Sequence, residues 1–471
     1  MNSFVQHITN TTETENGCPT YKSTLNKCLD LFFIGASTDL QNAKTLFSSA
    51  YKEDKITALK VAFYLRDVRD GQGKRDVIRA MLSHLIQTDT DTLNKILPYL
   101  PSIGRWKDVF ENVELYHETT LQVLRGMIEI EKDTISLMCK WMPRKGKPAV
   151  ILRQLLNLSP KEYRKFVVIN TQVVETLMCA NKWEDIDFSK LPSIAGKNYQ
   201  NAFSNHCKES YEQFKEKLVK GETKINASTL YPHNIVSNLC CEVGDKVVLE
   251  QSWKSLPDYM EGSEKFNILP IIDTSSSMNH IAYGTTSAMH ISIGLGIYLS
   301  ERNRGTFKDL WCNFSSTPSF YQLEGDSIAE KIANLDYHNW GGSTNIQAVF
   351  DLMLKVSVAN KVPEEDMPKV VLIISDMEFD EGIEGKVAYS QISDMYLVYG
   401  YKLPTIVFWN VCARNTNMPI RMMDNGIGIS GYSPIIMKEI LKGNLTNITP
   451  MLFMEDVIKE RYNFLNTLSI V

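Results

Sequence analysis

The chain has 471 residues, 44% of them hydrophobic and 22% charged, with a formal net charge of −5. That composition is globular, with room for two or three domains, and the overall charge argues against a simple polyanion binder. No stretch is apolar for the length needed to cross a bilayer, which argues against a membrane protein.

The first residues, "MNSFVQHITNTTETENGCPTYKST", lack a charged-then-apolar leader and read as a disordered N-terminus over 1–24. From 25 to 245 the apolar residues recur at helical spacing with short Gly or Pro breaks. In "KITALKVAFYLRDVRDGQGKRDVIRAMLSHLI", Leu59, Ala62, Phe63 and Leu65 keep helix period until Gly71 and Gly73. Further on, Ser159 and Glu162 form a capping box with Pro160 at the first helical position. Successive helices of this kind predict an α-helical repeat, solenoid-like domain. A linker is expected over 246–264, around "DKVVLEQSWKSLPDYMEGSEK".

After 265 the pattern changes. "NILPIID", "TFKDLWCNF", "PKVVLIISD", "PTIVFWNVC" and "GIGIS" are short apolar runs separated by amphipathic helical stretches. Strands apolar on both faces, alternating with helices, predict a mainly parallel sheet covered on each side, a Rossmann-like doubly wound α/β domain over 265–450. The segment 451–471 should be a C-terminal helix packing on the body.

In such sheets ligand sites gather at the carboxyl ends of the strands. Two strands here end on aspartate, at Asp273 and Asp376, and between them "HNWGGSTN" offers Ser343 and Thr344 in a Gly-rich loop. Asp273, Ser275, Ser277, Thr344 and Asp376 are therefore candidates for one all-oxygen cation site. Such a donor set suits Mg²⁺ (or Mn²⁺), hard ions that keep positions open for water or a further ligand. The bland alternative, a helix N-cap run at "DTSSSM", explains one loop but not three.

Enzyme signatures are missing. There is no second Asp where Ser275 stands, no G-x-S-x-G and no H-E-x-x-H. "GIGISG" matches a dinucleotide fingerprint but reads better as the last strand, with Ser433 capping and Pro434 opening a helix. The expectation is a protein that is not an enzyme. Nine cysteines without a C-x-x-C pair, with Cys240 and Cys241 adjacent, read as free thiols in a reducing compartment, by default the cytoplasm.

The D-x-S-x-S run at 273–277, the Gly-Gly loop with Thr344 and the strand-end Asp376 resemble the metal-ion-dependent adhesion site of von Willebrand factor A domains. That resemblance implies a cation whose open position takes a carboxylate from an acidic protein ligand. It departs from the family in placing Ser343 directly after the glycines, so Ser343 could share the role of Thr344. "ALKVAFYLRDVRDGQGKRDVI" followed by "LPSIGRWKDVF" resembles the helical module of the TROVE family, the Ro ribonucleoproteins. "KWMPRKGKPAVILRQLLNLSPKEYRKF", "ANKWEDIDFSKLPSIAGKNY" and "INASTLYPHNIV" resemble, across nearly the full length, an uncharacterised domain-of-unknown-function family of plants, fungi and large DNA viruses. The TROVE-like order of domains implies binding of small or single-stranded RNA.

The residues themselves give that reading one foothold. Lys140, Arg144, Lys145, Lys147, Arg153, Lys161, Arg164 and Lys165 cluster with only Glu162 opposing, and Trp141, Tyr163 and Phe166 lie among them. Cations neutralise phosphates, and aromatic faces stack unpaired bases. Arg105 and Trp106 read first as a packing and capping unit, and Lys74 with Arg75 as a Gly-flanked turn. Two functions therefore compete: a Ro-like RNA-binding scaffold, and a module that grips a partner carboxylate through the metal without nucleic acid.

Overall fold

The computed structural model describes residues 9–314, 317–335, 340–381, 386–443, 445 and 447–470. The chain forms two compact units, one of Met1–Asn42 with Leu230–Glu460 and one of Ala43–Thr229 with Arg461–Val471.

The first unit is mixed α/β. Its strands are β1 (Thr11–Glu13), β2 (Pro19–Tyr21), β3 (Ile268–Asp273), β4 (Ile281–Tyr283), β5 (Thr286–Ser287), β6 (Leu310–Phe314), β7 (Ser319–Gln322), β8 (Val370–Ser375), β9 (Thr405–Asn410) and β10 (Ile427–Ser430). Six of them make one sheet in the order β10-β9-β8-β3-β6-β7, with β1-β2 and β4-β5 as separate hairpins. Neighbours in the sheet are parallel except β7, which runs antiparallel to β6 at the edge. Every residue of β3, β8 and β9 is buried. A strand buried on both faces needs a helical layer on each, and the sequence supplies it. The helix Ala288–Arg302 packs on β3, β6 and β8, and Ile346–Ala359 packs on β6 and on the helix Ala388–Tyr399. The fit on β3 is close: a Cβ at Gly296 would stand 1.7 Å from Cδ1 of Ile272.

Several boundaries differ from the sequence-based expectation. The stretch expected to be disordered up to residue 24 forms the β1–β2 hairpin in residues 11–21, because its polar groups find partners far along the chain. Thr14 Oγ1 donates to the Phe379 carbonyl at 2.6 Å, and Asn16 Nδ2 to the Glu378 carbonyl at 2.7 Å. The helix Lys27–Ile34, expected in the helical layer, packs on β10 and on the helix Pro450–Lys459. Gly428 makes this possible, since a Cβ there would be 2.7 Å from the Phe33 ring. The expected linker over 246–264 holds the helix Lys246–Lys254, whose buried Trp253 donates to Glu301 at 2.8 Å. An indole this deeply buried cannot belong to a free linker.

The second unit is helical. Its helices run from four residues (Leu100–Ile103) to fourteen (Arg75–Thr88). Asp54 and Asp89 cap the helices that follow them by accepting from Thr57 and Thr92 amides. Arg66 and Asp108 form a buried ion pair at 2.6 Å. The expected single C-terminal helix divides. Pro450–Lys459 belongs to the sheet unit, whereas Arg461 pairs with Asp67 at 2.6 Å and Phe464 stacks on Tyr99 in the helical unit.

Candidate functional site

Counting sheet strands in chain order, the sequence 3-2-1-4-5-6 reverses between β3 and β8, and crevices at such a reversal are where open α/β sheets bind ligands. Ile272 is in register with Ile374, so both strands release their chains at the same level. Asp273 and Asp376 leave there side by side, 0% and 2% exposed.

Three loops meet at this point. In the first, the Ser275 amide donates to Asp273 Oδ1 at 2.9 Å, and Ser275 and Ser277 hydroxyls lie 3.1 Å apart. Ser375 Oγ donates to the other Asp273 oxygen at 2.6 Å, joining the β3 and β8 ends directly. The second loop turns through Gly341 and Gly342, both with positive φ, and the Gly341 amide donates to the Thr274 carbonyl at 2.8 Å. Only glycine adopts successive left-handed conformations without strain, which accounts for the pair. Thr344 then faces inward, 1% exposed, while Ser343 is exposed. Of the two hydroxyls, burial thus favours Thr344 as the one facing the site. The third loop is tied to the second by the Asp380 amide on the Thr344 carbonyl at 3.0 Å. It contains Met377 at φ 67, a strained conformation of the kind that collects at functional sites.

The electrostatics follow from this crowding. Burial first, and then the charge of Asp376, push the Asp273 carboxyl up from 3.8 to about 7. Thr344 Oγ1 is buried and has no hydrogen-bond partner among the described residues. Asp376 is paired with Arg414, whose Nη2 lies 3.0 Å from Oδ2. Behind it, buried Glu378 accepts from the Glu15 amide and from the side chains of Asn415 and Asn417 at 2.7–3.0 Å. Arg414, Asn415, Asn417, Glu378 and Glu15 were not anticipated. Only the strand-end rule applied to β9, which runs into "VCARNTN", would have pointed to the first three. Among the described residues no three His, Cys, Asp or Glu converge as metal ligands, so any cation here would be held by two carboxylates and hydroxyls. A cavity of about 410 Å³ opens beside the first loop, lined by Thr274, Gly341, Trp340, Met289, His290 and Cys240.

The basic segment lies in the helical unit. Arg144, Lys145, Lys147, Lys161, Arg164 and Lys165 are exposed, Arg153 is half-buried, and none forms an ion pair among the described residues. Lys140 is held by Glu175 at 2.7 Å. Tyr163 is not available for stacking: it is 4% exposed, and its hydroxyl donates to the Pro143 carbonyl at 2.9 Å. Trp106 is a packing residue, stacked on Phe110 and donating to Thr134 at 2.8 Å. Lys74 is buried against Asp76. The "GIGISG" run is the last strand, β10, followed by the Ser433 cap and Pro434.

Residues 267–461 match a family described as a domain of unknown function (DUF7788), and residues 14–133 and 152–265 match a second (DUF2828). Both matched families are of unknown function. "Uncharacterized protein L728" of Acanthamoeba polyphaga mimivirus is 28% identical over 512 aligned positions, covering 96% of this chain and 88% of that protein. Among solved structures, the Deinococcus radiodurans RO (RSR) protein aligns with 93% of this chain and 100% of its own, at 11% identity and a TM-score of 0.39. The expected place among uncharacterised families, with a viral relative, is in agreement with these matches. No helix among the described residues is long and apolar enough to cross a membrane.

Proposed function

We propose that this chain is a binding protein rather than an enzyme, and that its sheet unit holds Mg²⁺ or Mn²⁺ and offers the ion to a carboxylate of an acidic partner protein. Asp273, Ser275, Ser277, Thr344 and Asp376 would hold the ion, in the manner of a von Willebrand A adhesion site. The observation that carries the reading is the pairing of two buried carboxylates at the strand reversal with the buried hydroxyl of Thr344, which has no hydrogen-bond partner among the described residues. Two adjacent buried carboxylates repel unless a cation or a proton offsets their charge, and a buried hydroxyl on the adjoining loop would be one more oxygen for a hard cation. When bound, the ion would supply a Lewis-acidic open position. The chain's own residues orient it and exclude water from one side, and the 410 Å³ cavity next to Thr274 could take a side chain flanking the partner's carboxylate. We place this binding in the cytoplasm, where the exposed thiols of Cys179, Cys240 and Cys241 would stay reduced. Calorimetric titration of Mg²⁺ and Mn²⁺ into the full chain tests the site. One binding event is expected, and Asp273→Ala should abolish it while leaving the circular dichroism spectrum intact. A chain that shows neither heat nor thermal shift up to millimolar cation does not have the site.

A second reading rests on a separate observation. The exposed cations Arg144, Lys145, Lys147, Lys161, Arg164 and Lys165 gather on the helical unit and form no ion pair among the described residues. Clustered, uncompensated cations are the footprint of phosphate binding, and this supports RNA as a ligand of that unit. Gel shift with single-stranded RNA at two salt concentrations, with and without EDTA, separates the readings. Phosphate-led binding weakens steeply with salt and ignores the chelator, whereas a metal-bridged protein contact is lost to EDTA.

A further inference from the structure

We infer that Trp141, with Arg105, Lys107 and Lys140 drawn up around its ring, is the point at which the helical unit grips single-stranded nucleic acid. The inference rests on the second reading above and gives it a location. The cations stand 5.2, 5.4 and 5.7 Å from the indole centroid. They come from two helices, Trp106–Phe110 with its preceding residue Arg105, and Ile135–Trp141, which pack on one another.

The charge balance around the ring is what points to an anion. Arg105 shares Asp108 with the buried Arg66, at 3.7 Å against 2.6 Å. Lys140 has Glu175 at 2.7 Å. Lys107 forms no ion pair among the described residues, and Glu111, which feels its field, is bound by Arg79 at 2.7 Å. Three like charges within about 6 Å of one ring lie within roughly a Debye length of each other, so they repel even in physiological salt. Attraction of each cation to the ring quadrupole offsets part of this, at about 0.5–1 kcal/mol for exposed pairs. An anion at the cluster removes the rest.

The aromatic ring narrows the class of anion. Trp141 and Phe166 are half-exposed and Tyr163 is buried; of the three, Trp141 is the ring over which cations lie among the described residues. The helix Pro160–Asn170, which packs on Ile135–Trp141, continues the basic surface with Lys161, Arg164 and Lys165. A phosphate track that passes an accessible indole suits a chain of unpaired bases, because base–indole stacking needs no sequence and a duplex hides its base faces. An acidic peptide would satisfy the cations but leave the indole without a stacking partner.

Fluorescence anisotropy of the full chain with a labelled single-stranded oligoribonucleotide, an equal oligodeoxyribonucleotide and polyglutamate is the test. Trp141→Leu should weaken nucleic-acid binding about tenfold or more, with the slope of log affinity against log salt unchanged, and Trp141→Phe should restore most of it. Lys107→Ala should lower the magnitude of that slope by about 0.7, the share of one phosphate. Equal RNA and DNA binding supports contact through phosphate and base face, and RNA preference adds a 2′-hydroxyl contact at the same place. Wild-type affinity in both Trp141→Leu and Lys107→Ala overturns this location and leaves RNA binding elsewhere on the unit. Equal competition by polyglutamate overturns the stacking role, and absence of any RNA binding at low salt removes the second reading itself.

Discussion

Arg414 and Asp376 form an ion pair at 3.0 Å, and the same guanidinium holds Glu15 of the N-terminal hairpin at 2.6 Å. A cation carried by the chain is thus already placed on a carboxylate proposed to bind Mg²⁺. It also links that carboxylate to a segment that lies 399 residues before the arginine itself. The guanidinium cannot lose its charge at any working pH, so it competes with a metal ion at all of them.

Removing that competitor should expose the metal site. In Arg414→Gln, Asp376 loses a charge-assisted partner, so the metal-free protein should lose about 1.5–3 kcal/mol of stability. Added Mg²⁺ should then raise the melting temperature more than it does in the wild type. Differential scanning fluorimetry with and without Mg²⁺ reads both effects, and an identical Mg²⁺ shift in variant and wild type contradicts competition.

The Asp273 carboxyl sets a pH dependence with a definite sign. Its folded value is raised to about 7 from 3.8, so the folded state holds the proton more tightly than the unfolded chain. That contribution is fully present below about pH 4 and is lost as the pH rises to about 7. Melting in EDTA should show this group's stabilisation falling across that window. Mg²⁺, which binds the ionised carboxylate, should flatten or reverse the fall. Asp273→Asn should remove the window altogether, and an EDTA profile unchanged by that substitution would count against the raised value.

Phe33 tests whether the N-terminal helix is part of the sheet unit. The ring is 1% exposed and lies against Gly428 of β10. Phe33→Ala should cost about 3–5 kcal/mol, as large-to-alanine changes in a core do. Chemical denaturation followed by Trp fluorescence should show the loss. A change below 1 kcal/mol (an order-of-magnitude threshold for a surface position, about ±0.5) would place the helix outside the core.

Arg66 and Asp108 carry the frame beneath Arg105. Their side chains are 2% and 4% exposed and bonded at 2.6 and 2.8 Å. Arg66→Met alone leaves a buried carboxylate and should destabilise by about 3–5 kcal/mol, whereas Arg66→Met with Asp108→Leu should recover most of it. A double-mutant cycle in urea measures the coupling. A cycle that closes to zero would mean the pair is not formed.

Much of the architecture was legible because it is local. The mainly apolar runs at 268–273, 370–375 and 405–410 read as strands covered on both faces, and their order with intervening helices led to the α/β half. The Ser159 box and its Pro160 opened a helix as the pattern required. Asp273, Ser275, Ser277 and Asp376 became candidates from where their strands end. The rest depended on distant segments of chain that no periodicity relates. Whether residues 11–42 were loose or built into the sheet unit was settled by Phe33 meeting Gly428 and by Thr14 and Asn16 finding carbonyls beyond residue 377. Tyr163 and Trp141 have the same basic neighbours in sequence, yet packing hides one ring and leaves the other ringed by cations. Sequence sets which groups can be donors, acceptors or charges. Only the fold decides which of them are buried together, and burial is what turns an aspartate and an arginine into a coupled pair.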